Sequence, residues 1–457
     1  MKKYIHIIIF LLINIVAFGQ AVNEFVNSPE LKNASIGLYA ENVKTGEVIV
    51  NYNANLSLVP ASINKIIVTA IALELFGVNH KFKTEIAYSG KISNDGILTG
   101  NIYVIGGGDP CLNDEPLQQW ANAVKNLGIK KINGNIIADI SYFGEISIPN
   151  TWIWEDIANY YGNQGSALNY CNNQYFVHFS TGDTNGSDTK IIKTFPDNLG
   201  ITFKNHVKSS STGGDNAYIY NGSNDYEKII RGTLPCKNSD YAIKGSMPNP
   251  ELFLIKDFVS ILNKNGIVLN GKQLLITESD SEPRKTIFTT LSPTLQEIIN
   301  ETNLKSNNLY AQVISYHIVK KSSKQYSDVV KENFNSKNID ISGLSLDDAC
   351  GLSRFNTITA KQMTKFLIAT SQNTEINKIF TESLPVAGVS GTLKSLNVGT
   401  KNKVIAKSGT MFRIRSYSGY IIDKNGNKIA FCFIVNNFNG STNQIKLLFE
   451  KLFKEFD

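Results

Sequence analysis

The sequence predicts an α+β protein: an antiparallel sheet with packed helices, built from the two ends of the chain around a large β-rich middle section. Three observations lead there. A strand pair near the start runs into an apolar helix. The middle alternates short β-type runs with Gly and Asn turns. Helices return after residue 290, followed by a long apolar hairpin and a closing helix. At 457 residues the chain exceeds one core of ordinary size, so two or three domains are expected.

Each element has a local reason. Ala34–Ala40 and Gly46–Val50 read as strands joined by a turn over 42–46. A helix is expected from Ser62 to about Phe76, where Gly77 stops it. Gly106-Gly107-Gly108-Asp109-Pro110 is read as a tight structural turn rather than a phosphate cradle, because no G-K-[ST] follows and Asp-Pro breaks a helix. A helix over Leu117–Leu127 and a strand over Gly134–Asp139 follow. Trp152, Trp154, Tyr160 and Tyr161 are assigned to core packing rather than a sugar platform. A helix over Leu252–Leu262 and a strand pair over Ile267–Thr277 close the middle. Beyond it, a helix over Thr294–Asn303 and another from Leu309 precede a strand from Lys403, a hairpin turning at Lys424-Asn425-Gly426, and a helix over Asn443–Phe456. The expected organisation is a domain from 20–82 and 290–457, an inserted α/β domain from 83–174 and 235–289, and a small β-rich lobe, 175–234, nested in it.

Composition excludes several functions. With 42% hydrophobic and 18% charged residues the chain is globular. Its net charge of +6 is spread over isolated lysines, so no nucleic-acid partner is expected. Lys2 and Lys3 precede an apolar run from about Ile7 to Phe18, and Ala17-Phe18-Gly19 offers small residues before a cut that leaves Gln20 first. This predicts a signal peptide over 1–19 and an exported protein of the periplasm or cell envelope. The run is short and carries His6 and Asn14, so no integral membrane span is expected in the mature chain. Five scattered cysteines leave at least one unpaired, and buried free thiols are expected for most. His80, His178, His206 and His317 lack ligand spacing; no metal and no cofactor is expected.

The candidate chemistry lies in three short segments. Ser62 and Lys65 stand one helical turn apart, and an amine that loses its proton can activate a serine hydroxyl. Alone, that spacing is more often a serine cap with a solvated lysine, so the other segments must supply the missing parts. Ser306 and Asn308, between two helices, offer a hydroxyl that can relay a proton and an amide that can hold a substrate backbone, or ordinary capping. Lys407-Ser408-Gly409-Thr410 begins a strand that exposes Lys407 and, on the same side, Gly409, along whose edge a substrate can lie. Lys407 also supplies positive potential that lowers the pKa of Lys65. The earlier Lys44-Thr45-Gly46 is rejected: it precedes the serine and sits in a turn.

Ser-x-x-Lys, Ser-x-Asn and Lys-[Ser/Thr]-Gly in this order resemble penicillin-binding proteins and class A β-lactamases. The insertion between Lys65 and Ser306 is too large for a β-lactamase. With Trp154-Glu155-Asp156, Ser166-Ala167-Leu168-Asn169, Gly351-Leu352-Ser353-Arg354 and Ser383 to Gly388, the chain is similar over nearly its whole mature length to the D-alanyl-D-alanine carboxypeptidase/endopeptidase family, the class C low-molecular-mass penicillin-binding proteins. The resemblance implies a penicillin-binding/serine β-lactamase-like transpeptidase fold. It implies Ser62 as acylated nucleophile, Lys65 as proton acceptor and Ser306 as proton shuttle. Asn308 would hold the substrate amide, Lys407 and Ser408 the terminal carboxylate, and the backbone N–H groups of Ser62 and Thr410 would form the oxyanion hole. Peptidoglycan stem peptides would be the substrates and β-lactams covalent inhibitors. Two departures stand out: Ser408 replaces the family's usual threonine, and Cys350 stands where serine precedes Gly-Leu-Ser-Arg. A β-lactamase using the same residues and a non-catalytic peptidoglycan-binding scaffold are the alternatives.

Overall fold

The structure, a computed structural model, describes residues 19–197, 199–400 and 403–456. All of the expected signal peptide except Gly19 lies outside the described residues. The chain forms two compact units. One comprises the residues up to Asn79, Leu295–Asn307 and the chain from Lys321; the other comprises His80–Thr294 and Asn308–Lys320.

The first unit is built on an antiparallel sheet of β1 (Ser35–Asn42), β2 (Val48–Tyr52), β3 (Lys403–Met411), β4 (Ile414–Ile422) and β5 (Lys428–Asn436), in the order β2-β1-β5-β4-β3. All of β1 but its first residue is buried, and so is all of β5 but its first, so these central strands are covered on both faces. The closing helix, Thr442–Lys454, packs Phe449 and Phe453 on Tyr417 of β4. From the other face the helix Ala360–Gln372 reaches β4 and β1: Tyr420 Oη donates to the Leu367 carbonyl, and Thr364 Oγ1 donates to the Tyr39 carbonyl.

The first helical segment differs in detail from expectation. Ala61–Asn64 form one 3-10 turn, and α1 spans Lys65–Phe76. Every residue of α1 as far as Leu73 is buried, as a helix apolar on all sides requires. Gly77, at φ +77°, ends it and donates its N–H to the Leu73 carbonyl. Ser62 is not a cap: neither segment has a side-chain cap bond at its start.

Among the described residues the second unit carries four sheets of three to five strands. The expected strand pair at Ile267–Thr277 is corrected here. Val268–Leu269 and Gln273–Ile276 do not pair with each other; they run parallel to Lys131–Asn133 and Ile136–Asp139, in two different sheets. The reason is a side-by-side course: Asn270 N–H bonds the Ile132 carbonyl and Lys272 N–H bonds Asn135 Oδ1, which carries both strands across together. Parallel strands need a crossover, and the helix Pro250–Lys264 precedes this pair. Val177, Phe179, Ile219 and Ile230, from the section expected as a nested lobe, share one core with Trp120, Leu254 and Phe258.

A second correction concerns the aromatics. Trp152 is buried, but Trp154 and Tyr160 are 53% and 44% exposed, because the apolar core at this point is filled by Ala158, Ala167 and Leu168. All five cysteines are free thiols, with Cys350 and Cys432 buried. Among the described residues, no helix is long and apolar enough to cross a membrane and no cluster of three or more His, Cys, Asp or Glu side chains could hold a metal ion.

Candidate active site

The turn at Ala61–Asn64 aims Ser62 and Lys65 at each other. Lys65 Nζ lies 3.0 Å from Ser62 Oγ and 2.6 Å from the carbonyl oxygen of Cys350. Lys65 is fully buried whereas Ser62 is partly open. Burial pulls the Lys65 amine from 10.5 to about 8; the nearby Cys350 and Asp348 oppose that shift. At the second segment, Ser306 Oγ accepts from Lys407 Nζ at 2.9 Å. Ser306 itself sits at φ +59°, in the left-handed region, between the helices Leu295–Lys305 and Asn308–Ser322.

Strand β3 joins these two pairs. Gly409 lies against the turn so closely that an added Cβ would stand 2.3 Å from Ser416 Oγ, 2.7 Å from the Pro60 carbonyl oxygen and 3.0 Å from the Ser62 nitrogen. Ser416, opposite Gly409 on β4, donates to that same Pro60 carbonyl at 2.6 Å. The strand therefore needs glycine because the nucleophile's backbone occupies the space of a side chain.

Lys407 departs from expectation twice. It is fully buried rather than exposed, with Nζ donating to Ser306 Oγ and, at 2.9 Å, to the Ser408 carbonyl. The charge effect also runs the other way: burial alone lowers Lys65, while Lys407 is held well below the ordinary lysine range by burial and then by Lys65 and Arg415. A charge on Lys65 disfavours a second one on Lys407.

Of the remaining expected residues, Ser408 Oγ donates to Thr392 Oγ1 at 2.8 Å and Thr410 is exposed, its hydroxyl bonded by the Arg415 guanidinium. Asn308 starts a helix whose first part belongs to the second unit, where its Nδ2 donates to the Tyr161 carbonyl at 2.7 Å.

Several participants escaped the sequence reading. The Asp348 carboxylate accepts the backbone N–H groups of Gly351 (2.6 Å), Leu352 (3.0 Å) and Ser353 (2.6 Å) and Nδ2 of Asn356 (2.9 Å). Its carbonyl accepts from Asn64 Nδ2 at 2.7 Å. This nest fixes the loop that presents the Cys350 carbonyl to Lys65. Gly351, at φ +85°, lies so near the Ala61 carbonyl that a Cβ would be 2.0 Å from it. An Asp three residues ahead of a glycine is a readable sign of such a nest. Arg415, stacked 4.7 Å over the Tyr417 ring, left no sequence signal. Burial pushes the Cys350 thiol well above its usual range, so it packs as an inert group.

Comparisons with known proteins identify relatives of this chain. The sequence is 26% identical over 421 residues to the D-alanyl-D-alanine carboxypeptidase DacB of Haemophilus influenzae, covering 89% of this chain and 86% of that one. It is 27% identical over 442 residues to a D-alanyl-D-alanine carboxypeptidase of an Actinomadura species, covering 92% and 81%. The crystal structure of penicillin binding protein 4 from Haemophilus influenzae superposes with a TM-score of 0.80 at 23% identity, over 95% of this chain and 97% of that one, which establishes the penicillin-binding fold. With the match extending over residues 18–448, the chain belongs to the D-Ala-D-Ala carboxypeptidase 3 (S13) family.

Proposed function

We propose that the chain is an exported serine D,D-peptidase of peptidoglycan in which Ser62, Lys65, Ser306 and Lys407 carry the chemistry. The observation that supports this most strongly is a serine hydroxyl 3.0 Å from a fully buried amine whose pKa is drawn down to about 8. A neutral Lys65 accepts the Ser62 proton as Oγ attacks the carbonyl carbon of a D-Ala-D-Ala amide or of a D-configured cross-link. The C–N bond then breaks. Ser306 gives its proton to the leaving amine and is reprotonated through Lys407, to which it is already bonded, by the proton that Lys65 took from Ser62, which leaves Lys65 neutral for the water step. Water attacks the resulting ester, returning Ser62 and releasing the shortened peptide.

In this reading the N–H groups of Ser62 and Thr410 hold the oxyanion, a contribution of about 3 kcal/mol per donor in comparable sites. The Asn308 amide holds the substrate backbone. Lys407 and Ser408 hold the substrate carboxylate; because Lys407 is buried, we add Arg415, whose guanidinium already touches Thr410, as a nearer cation. Gly409 leaves the strand edge free for the stem peptide. A β-lactam presents a similar acyl bond to Ser62 and stalls as an ester. We further propose the three-part organisation of 20–82 with 290–457, 83–174 with 235–289, and 175–234, and a location in the periplasm or cell envelope.

Fluorescent penicillin should label the purified protein, and Ser62→Ala should abolish the label. Defined muropeptides should lose D-Ala, read by mass. Rapid turnover of nitrocefin would instead mark a β-lactamase, and muropeptide binding without cleavage a scaffold.

A further inference from the structure

The second unit contains a cavity of about 440 Å³, lined only by residues of that unit and within the size range of small-molecule sites, roughly 300–1,000 Å³. Ser246, the last residue of the strand Tyr241–Ser246, lines it while being only 1% exposed, and its Oγ has no hydrogen-bond partner. A buried hydroxyl is seldom left unpaired, so this one is available to a guest.

Charge narrows the identity of that guest. Among the described residues that line the cavity none is basic, so no side-chain cation there pairs with an anion. The first turn of the helix Pro250–Lys264 enters the lining at Pro250 and Glu251, and its positive end opposes a cation. The Glu251 carboxyl is 6% exposed, bonded to Ser166 and to its own backbone N–H, and burial raises its pKa, so it offsets the helix end without projecting a free charge. Glu145, an exposed residue of the lining, adds a carboxylate that further disfavours an anion, and the other lining groups are neutral. Ser147, Ser223 and Thr277 contribute hydroxyls, each both donor and acceptor, opposite the aliphatic Ile140, Met247 and Leu275. At the rim, Asn249 Nδ2 bonds the hydroxyl of Tyr226, a ring left 40% exposed.

We propose that this cavity binds a neutral N-acetylated amino-sugar unit, giving the second unit a glycan-binding role separate from acyl transfer. Hydroxyls on both partners match in either direction, the acetamide finds donor, acceptor and aliphatic wall, and the rim ring offers a face to the sugar. A neutral peptide would bring amides but not the hydroxyls that this lining is suited to pair.

The test is calorimetric titration of the full chain with tetra-N-acetylchitotetraose, with cellotetraose and N-acetyl-trialanine as comparisons. Saturable binding of the first, at least about tenfold tighter than either comparison, is expected. Asn224→Trp, at an exposed rim position, should abolish it, and Ser246→Ala should weaken it about threefold to tenfold. Fluorescent-penicillin labelling of both variants should match the parent, which shows that they fold. No binding at about 10 mM, equal binding of cellotetraose, preference for the peptide, or variants that bind like the parent would each overturn the assignment. Loss of penicillin labelling in the parent itself would refute the Ser62 chemistry while leaving the sugar titration standing, so the two failures are distinguishable.

Discussion

Burial of Lys65 gives the acylation reaction a specific pH profile. An amine at the ordinary 10.5 is neutral in only about 0.03% of molecules at pH 7, whereas one at about 8 is neutral in about a tenth of them. The gain in competent base is thus about 300-fold, equivalent to about 3 kcal/mol of differential burial of the charged form. The second-order rate of labelling by fluorescent penicillin should rise tenfold per pH unit below about 8 and level off above it. Lys65→Arg, which keeps a cation but cannot lose its proton in this range, should lower the rate by at least about a thousandfold at every pH. Stability carries the opposite face of the same effect. The folded pKa is the lower one, so between pH 8 and 10.5 the unfolded chain binds more protons, and resistance to denaturant should increase with pH across that window. A flat labelling profile from pH 6 to 9, or an inflection near 10.5, would show that Lys65 is not the acceptor of the serine proton.

Three further outcomes follow from packing and charge. Gly409→Ala places a Cβ 2.3 Å from Ser416 Oγ and 3.0 Å from the Ser62 nitrogen, so the turn must move by a substantial fraction of an ångström. Penicillin labelling should fall about a hundredfold, and a second change, Ser416→Gly, should recover part of it; labelling within threefold of the parent would contradict the close approach. His317 is buried, donates from Nε2 to the Gly108 carbonyl, stacks on Phe82, and has its pKa lowered by burial from 6.5 to about 4. The unfolded chain binds more protons across that interval, so denaturation of the second unit should become easier by about 3 kcal/mol as pH falls from 6.5 to 4, and His317→Gln should flatten the dependence. Tyr326 is half-buried, with its hydroxyl oxygen buried and unpartnered, beside Asp348 and Cys350. Tyr326→Phe should therefore be neutral or stabilise the protein by about 1 kcal/mol in chemical denaturation, and a loss of 2 kcal/mol or more would reveal a missing partner.

What the sequence determined by itself was local and ordered: the Ser62 to Lys65 offset, the stop at Gly77, and the strand that carries Lys407 after Ser306. These depend on neighbours a few positions apart, and periodicity records them directly. The tertiary structure alone decided that Ser62 sits in a 3-10 turn, that Lys407 is buried and loses proton affinity to Lys65 rather than the reverse, and that Arg415 stands beside Thr410. It also decided that a backbone carbonyl, at Cys350, receives the Lys65 amine, and that an Asp348 nest holds it there. A main-chain oxygen is the same at every residue, and burial is the sum of contacts from segments hundreds of positions away. No composition or spacing along the chain encodes either quantity until the fold brings those segments into contact.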